Sequence, residues 1–212
     1  MRQNIAVYVF LIILIGALDD VAAQVVDSID YYSPGHVRSK GPLLDHTKDG
    51  VWLTYYPSGK ISAREEYSLG KLNGEVTYFY PDRIILGKEK WINGQLYDSA
   101  FYYHQNSFLE KKGVYIKSQY AGTWEHYFEN GKLSRMVSYM NGLPDGPTFV
   151  FSDTEILLQK GFYKEGLESG FWEFFDEDGR KEYEGNYENG KRVSIWFQFD
   201  RKGRKSVWKP VD

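Results

Sequence analysis

A pattern that returns every 24 residues constrains this chain more than any other feature. Gly50, Gly74, Gly122, Gly146 and Gly170 fall on one lattice, and Asp98 and Ser194 occupy its two remaining points. Five residues after each point stands an aromatic ring: Tyr55, Phe79, Tyr103, Tyr127, Phe151, Phe175 and Phe199. Seventeen residues after it stand Tyr67, Trp91, Tyr115, Tyr139, Tyr163 and Tyr187. With aromatics at 17% of the chain, coincidences of this number by chance have odds on the order of one in ten billion. A repeat this short is one supersecondary unit that buries its apolar face only by stacking on its neighbours.

Each unit carries two turn signals. The first is Ser58-Gly59, Asn130-Gly131, Asp178-Gly179 or Lys202-Gly203, and the second is Asn93-Gly94, Asn141-Gly142, Glu165-Gly166 or Asn189-Gly190. Such dipeptides suit the positive φ of tight hairpins. The runs between them are strand-length and ring-rich, which predicts strands and leaves no room for a helix. The expected architecture is an all-β, elongated antiparallel sheet of β-hairpin repeats, a meander because a lone hairpin is marginal in water.

Two residues after the lattice point come Trp52, Trp124, Trp172 and Trp196, with Val76, Ala100 and Thr148 elsewhere. A second turn centred at lattice positions 21 and 22 would set Tyr115 against Trp124, Tyr163 against Trp172 and Tyr187 against Trp196. Positions 2 and 5 have opposite parity, so either a bulge intervenes or both faces carry rings. The unit from Asp98 to Ala121 lacks turn glycines and is expected to be the least regular.

The chain divides into three parts. Residues 1–23 read as a secretory signal peptide: Arg2, an apolar run from Ile5 to Leu18, and Val21-Ala22-Ala23 before a cleavage point between Ala23 and Gln24. Residues 24–49 read as a leader and N-terminal cap. Residues 50–212 hold seven repeats, the last truncated, with Trp208, Lys209 and Pro210 closing the end. The localisation implied is periplasmic or secreted, with no transmembrane segment left after signal cleavage.

The unit Gly-x-Trp-x-x-Tyr-Tyr-x-x-Gly-Lys, at Gly50 to Lys60 and in related form at Gly122 to Lys132, resembles the variant MORN repeat. With the companion half, Tyr139 to Gly142 and Tyr187 to Gly190, the chain resembles the YwqK-family toxin–antitoxin system antitoxins. That resemblance implies a MORN-like sheet and brings no catalytic residues with it. It implies a protein that neutralises a dedicated toxin, which for an exported chain becomes an immunity protein.

Composition narrows the chemistry further. A net charge of −3 gives no basic field for nucleic acid. The absence of cysteine excludes disulfides and thiol chemistry. His36, His46, His104 and His126 lack the spacing of a zinc site and read as strand-surface residues. Asp176-Glu177-Asp178-Gly179 reads as a solvated hairpin tip and not a calcium loop. Glu65-Glu66, Glu165 and Glu168 would need a cleft to act as paired carboxylates. Arg201, Lys202, Arg204 and Lys205 read as edge protection, with contact to anionic lipid or an acidic partner as the alternative.

The expectation is a non-catalytic, cofactor-free and metal-free exported scaffold that binds a protein, glycan or other cell-envelope component. The alternative is an antitoxin or immunity protein. Residues singled out for binding or structure are Trp52, Tyr55, Tyr67, Trp91, Trp124, Tyr127, Tyr139, Tyr163, Trp172, Phe175, Tyr187 and Trp196. Exposed ring rows bind proteins or sugars.

Overall fold

The computed structural model describes residues 24–209, and these form nineteen strands in one open antiparallel sheet with no helix among them. Residues 1–23, the expected signal segment, and residues 210–212, with Pro210 of the expected C-terminal closure, lie outside the described residues. Strands pair with their sequence neighbours, so the sheet is a meander from Val25–Ser33 at one edge to Lys205–Val207 at the other. Among the described residues nothing forms a second layer.

The first turn of each unit closes through paired backbone bonds. Phe128 N–H donates to Lys132 O and Gly131 N–H donates to Phe128 O, both at 2.9 Å. Gly131 sits at φ 81°, a left-handed conformation that glycine adopts without a Cβ penalty. The second turn has two residues, both at positive φ, as in Asn141 at 51° and Gly142 at 83°. Met140 pairs with Leu143 across it, which centres the turn at lattice positions 19 and 20 rather than 21 and 22.

The rings nevertheless meet, because the lattice glycine makes a bulge. Val114 pairs with Ala121, but Lys112 pairs with Glu125. Gly113 alone therefore stands opposite Gly122, Thr123 and Trp124, which pulls the tryptophan back towards Tyr115. The lattice points all take positive φ to achieve this, from Ser194 at 60° to Gly74 at 130°. This is why glycine recurs there, and bulges bend and twist a strand locally.

The stretch 24–49 follows the same plan. Val25–Ser33 and His36–Leu44 pair as a hairpin, Gly35 takes φ 81°, and Asp45 and His46 take the two positive-φ positions of the second turn. This hairpin is the N-terminal edge unit of the sheet. The unit from Asp98 to Ala121 also keeps the plan, against expectation, with Lys117 at 50° and Ser118 at 64° in its turn. The backbone geometry is dictated by neighbouring units on both sides, which override the missing glycines.

Candidate binding faces

One face is tiled by tryptophan on glycine. Trp52, Trp124, Trp172 and Trp196 are between 0% and 5% exposed, so they are core and not contact surface. Each lies against a glycine eleven residues earlier: Gly41, Gly113, Gly161 and Gly185. A Cβ added to these glycines would fall 2.6, 2.2, 2.1 and 2.3 Å from the indole ring. Where the earlier residue is larger, the later one is smaller, as in Glu65 with Val76, Glu89 with Ala100, and Val137 with Thr148. A search at a spacing of eleven would have found this exchange of volume; the 24-residue ring lattice does not display it.

The expected ring pairs form. Tyr115 meets Trp124 at 5.0 Å, Tyr163 meets Trp172 at 5.2 Å and Tyr187 meets Trp196 at 5.0 Å, all edge-to-face. Such pairs contribute roughly 0.5–1.5 kcal/mol beyond area burial. The indole N–H groups of Trp52, Trp124 and Trp196 donate to carbonyls ten residues earlier, at Pro42, Val114 and Asn186. The buried indole N–H of Trp172 has no partner.

Glu89 fills the gap left by the missing tile over Ala100. It is 8% exposed and accepts from Tyr78 at 3.1 Å, Tyr102 at 2.5 Å and Trp91 at 3.0 Å. Burial and the Glu89 carboxylate push the Tyr78 and Tyr102 hydroxyls well above their usual range. Burial, followed by Glu65, raises Tyr67 to about 12, and burial also raises Tyr115 to about 12. Glu65 and its neighbour Glu66 have different partners, Tyr67 and Arg64 respectively, and do not form a carboxylate pair.

The opposite face also carries rings, which resolves the parity question. Tyr55, Phe79, Tyr103, Tyr127, Phe151, Phe175 and Phe199 are half-buried there beside alternating charges. Lys160 reaches Glu173 at 2.6 Å, Lys181 bridges Glu173 at 2.6 Å and Glu184 at 2.7 Å, and Lys205 meets Glu184 at 2.6 Å. Lys160 and Lys181 also lie 5.9 and 5.5 Å from the centres of Phe175 and Phe199. Lys205 of the basic cluster is thus paired with Glu184 at the edge strand.

Units are clamped at the hairpin edge by a row that the sequence lattice had not singled out. The hydroxyls of Tyr32, Tyr56 and Tyr80 donate to Tyr55 O, Phe79 O and Tyr103 O at 2.8, 2.7 and 3.0 Å. His104 is next in this 24-residue series, and its Nε2 meets Tyr127 O at 2.9 Å. It ties units together and is not a plain strand-surface residue. In the later units the same row turns inward: Asp176 and Asp200 accept from the backbone of their own turns.

Tyr67, Trp91, Tyr139, Tyr163 and Tyr187 are half-buried on the tryptophan face, and Tyr55, Tyr127 and Phe175 are half-buried on the other. A shallow cleft of about 150 Å³ opens at the C-terminal end of the tryptophan face between Phe174, Tyr183, Arg192, Trp196 and Trp208. Trp208 covers this end, 6.4 Å from Trp196. Among the described residues no group of three or more His, Cys, Asp or Glu is placed to hold a metal ion.

The family model described as MORN repeat variant matches residues 48–69 and 121–141. Both segments hold a Gly-x-Trp strand followed by its return strand, the unit tiled above. The matched segments are thus two copies of the repeat that builds the sheet. No curated protein is significantly similar to it. Among solved structures, a GtfA/B complex bound to UDP and GlcNAc shares 16% identity over 52% of this chain and 22% of that one, with a TM-score of 0.24. A TcdB2-TccC3 structure shares 12% over 82% of this chain and 13% of that one, with a TM-score of 0.19. The Photorhabdus luminescens Tc holotoxin pore gives 12%, 82% and 13%, with a TM-score of 0.17. This chain thus spans less than a quarter of each of these proteins.

Proposed function

We propose that the chain is an exported, non-catalytic scaffold that binds an envelope component, a protein or a glycan, through its half-exposed ring rows. The observation that carries this reading is the single layer. Each face keeps a regular series of half-buried rings, and among the described residues nothing covers them. Large amphipathic rings held rigid by a sheet supply contact area with little ordering cost on binding.

Export rests on the sequence of residues 1–23. The test is subcellular fractionation with an intact mass of the native protein. A mature chain beginning at Gln24 in the exported fraction supports the scaffold. A full-length chain in the cytosol overturns export and favours the second reading in its cytosolic form, an antitoxin, to which the sequence resemblance to YwqK-family antitoxins points.

A further inference from the structure

On the tryptophan face one column of directly opposed residues runs across the sheet without a break. In order it reads Thr54, Ala63, Tyr78, Gly87, Tyr102, Lys111, His126, Arg135, Val150, Gln159, Phe174, Tyr183 and Gln198. Its three basic residues, Lys111, His126 and Arg135, stand consecutively on adjacent strands, and the column contains no carboxylate. Directly opposed residues in a sheet lie close together on one face, and like charges placed so are unfavourable.

The arrangement contrasts with the paired charges of the opposite face. One residue along, on the opposite face, Lys112 meets Glu125 at 2.9 Å, and Lys160, Lys181 and Lys205 are likewise paired. Among the described residues Lys111, His126 and Arg135 have no carboxylate within ion-pair distance. Lys111 lies over the Tyr102 ring at 4.6 Å. Burial, then the cations of Lys111 and Arg135, hold the His126 imidazole below its usual range, with Glu110 the one acidic group opposing them. Arg135 is exposed, and Lys111 and His126 are half-buried.

Adjoining this row on the same face lies a ring cluster. Tyr115, Tyr120, Trp124 and Tyr139 make successive contacts of 4.2–5.1 Å between ring centres. Uncompensated cations next to half-exposed rings match a ligand with an anionic group and flat apolar patches, as the C–H faces of a sugar ring provide. A flat row of this kind suits stacking by a sugar ring better than the deep insertion of a protein partner's central side chains.

We infer that the cations of Lys111 and Arg135, with the His126 imidazole as a hydrogen-bonding group between them and Tyr115, Tyr120 and Tyr139 alongside, form a site for an acidic glycan whose carboxylates or phosphates meet this row. This rests on the scaffold reading and names its ligand class. The test is calorimetric titration of the mature chain with oligogalacturonate, neutral dextran oligomers, oligoglutamate and inorganic phosphate. Two double variants accompany the wild type: Lys111→Gln/Arg135→Gln, and Arg201→Gln/Lys202→Gln as a charge-matched control.

The expected result is oligogalacturonate binding that falls by at least about tenfold in the Lys111→Gln/Arg135→Gln protein and is retained in the control. Neutral dextran and phosphate bind weakly or not at all. Equal loss in both variants reduces the effect to net charge and overturns the site. Oligoglutamate binding more tightly than oligogalacturonate transfers the site to an acidic protein. Phosphate binding as tightly as the glycan leaves a simple ion site. An exported chain that retains an envelope partner yet ignores oligogalacturonate keeps the scaffold and loses this site.

Discussion

At the scale of single residues, the tightest constraint is the absence of a side chain at Gly41, Gly113, Gly161 and Gly185. The lattice glycines are needed for positive φ, but the Cβ of these four is excluded by an indole ring. Gly161→Ala is expected to destabilise the protein by about 1–3 kcal/mol, the usual cost of overpacking, read from urea unfolding. The four tryptophans are not equivalent. Trp124→Phe gives up a hydrogen bond to Val114 O, whereas Trp172→Phe gives up none. Trp124→Phe should therefore cost about 1 kcal/mol more than Trp172→Phe in the same assay.

Ionisation at this scale acts through the ladder on the other face. Burial pushes the Glu173 and Glu184 carboxyls up, but Lys160 and Lys181 beside Glu173, and Lys181 and Lys205 beside Glu184, outweigh it and hold both below their usual range. A carboxyl whose folded pKa is lowered stabilises the fold above its unfolded pKa of about 4.3, and that stabilisation disappears as pH falls through the folded value. The melting temperature should accordingly drop as pH is taken below about 4. A Glu173→Gln/Glu184→Gln protein, less stable at neutral pH, should show a shallower acid drop, and an identical drop would refute the assignment.

At the scale of the element, each hairpin is held at its two ends by different means. The two-residue turns stack by backbone bonds, as from Gly166 N–H to Pro144 O at 2.7 Å, while the Tyr32, Tyr56, Tyr80 and His104 row clamps the opposite ends. Tyr56→Phe removes one clamp and leaves Phe79 O without that donor, with an expected loss of about 1 kcal/mol in thermal or urea unfolding. Strands and turns were legible in the sequence because glycine, asparagine and aromatics fall on a fixed period. The bulge was not: parity alone could not say that Gly113 would oppose three residues. The hairpin at Val25–Leu44 was hidden because its unit carries only one lattice ring, Tyr31, with Val26 in place of the lattice glycine and Leu43 in place of the second ring.

At the scale of the whole molecule, a one-layer sheet has no shared interior, and each unit depends on its two neighbours. The edge strands Val25–Ser33 and Lys205–Val207 should exchange their amide hydrogens first, and the strands around Trp124 and Trp172 last. The basic row escaped sequence reading because Lys111, His126 and Arg135 are distant from each other along the chain and become neighbours only through register. The central claim is that volume exchanged between positions eleven apart holds the units together. A double-mutant cycle tests it most directly, since Gly113→Val with Trp124→Thr recreates the natural Val137 and Thr148 pair. Each single change should destabilise urea unfolding by about 3 kcal/mol or more, and the double should recover about 1–3 kcal/mol of their sum. Losses that simply add would contradict the account.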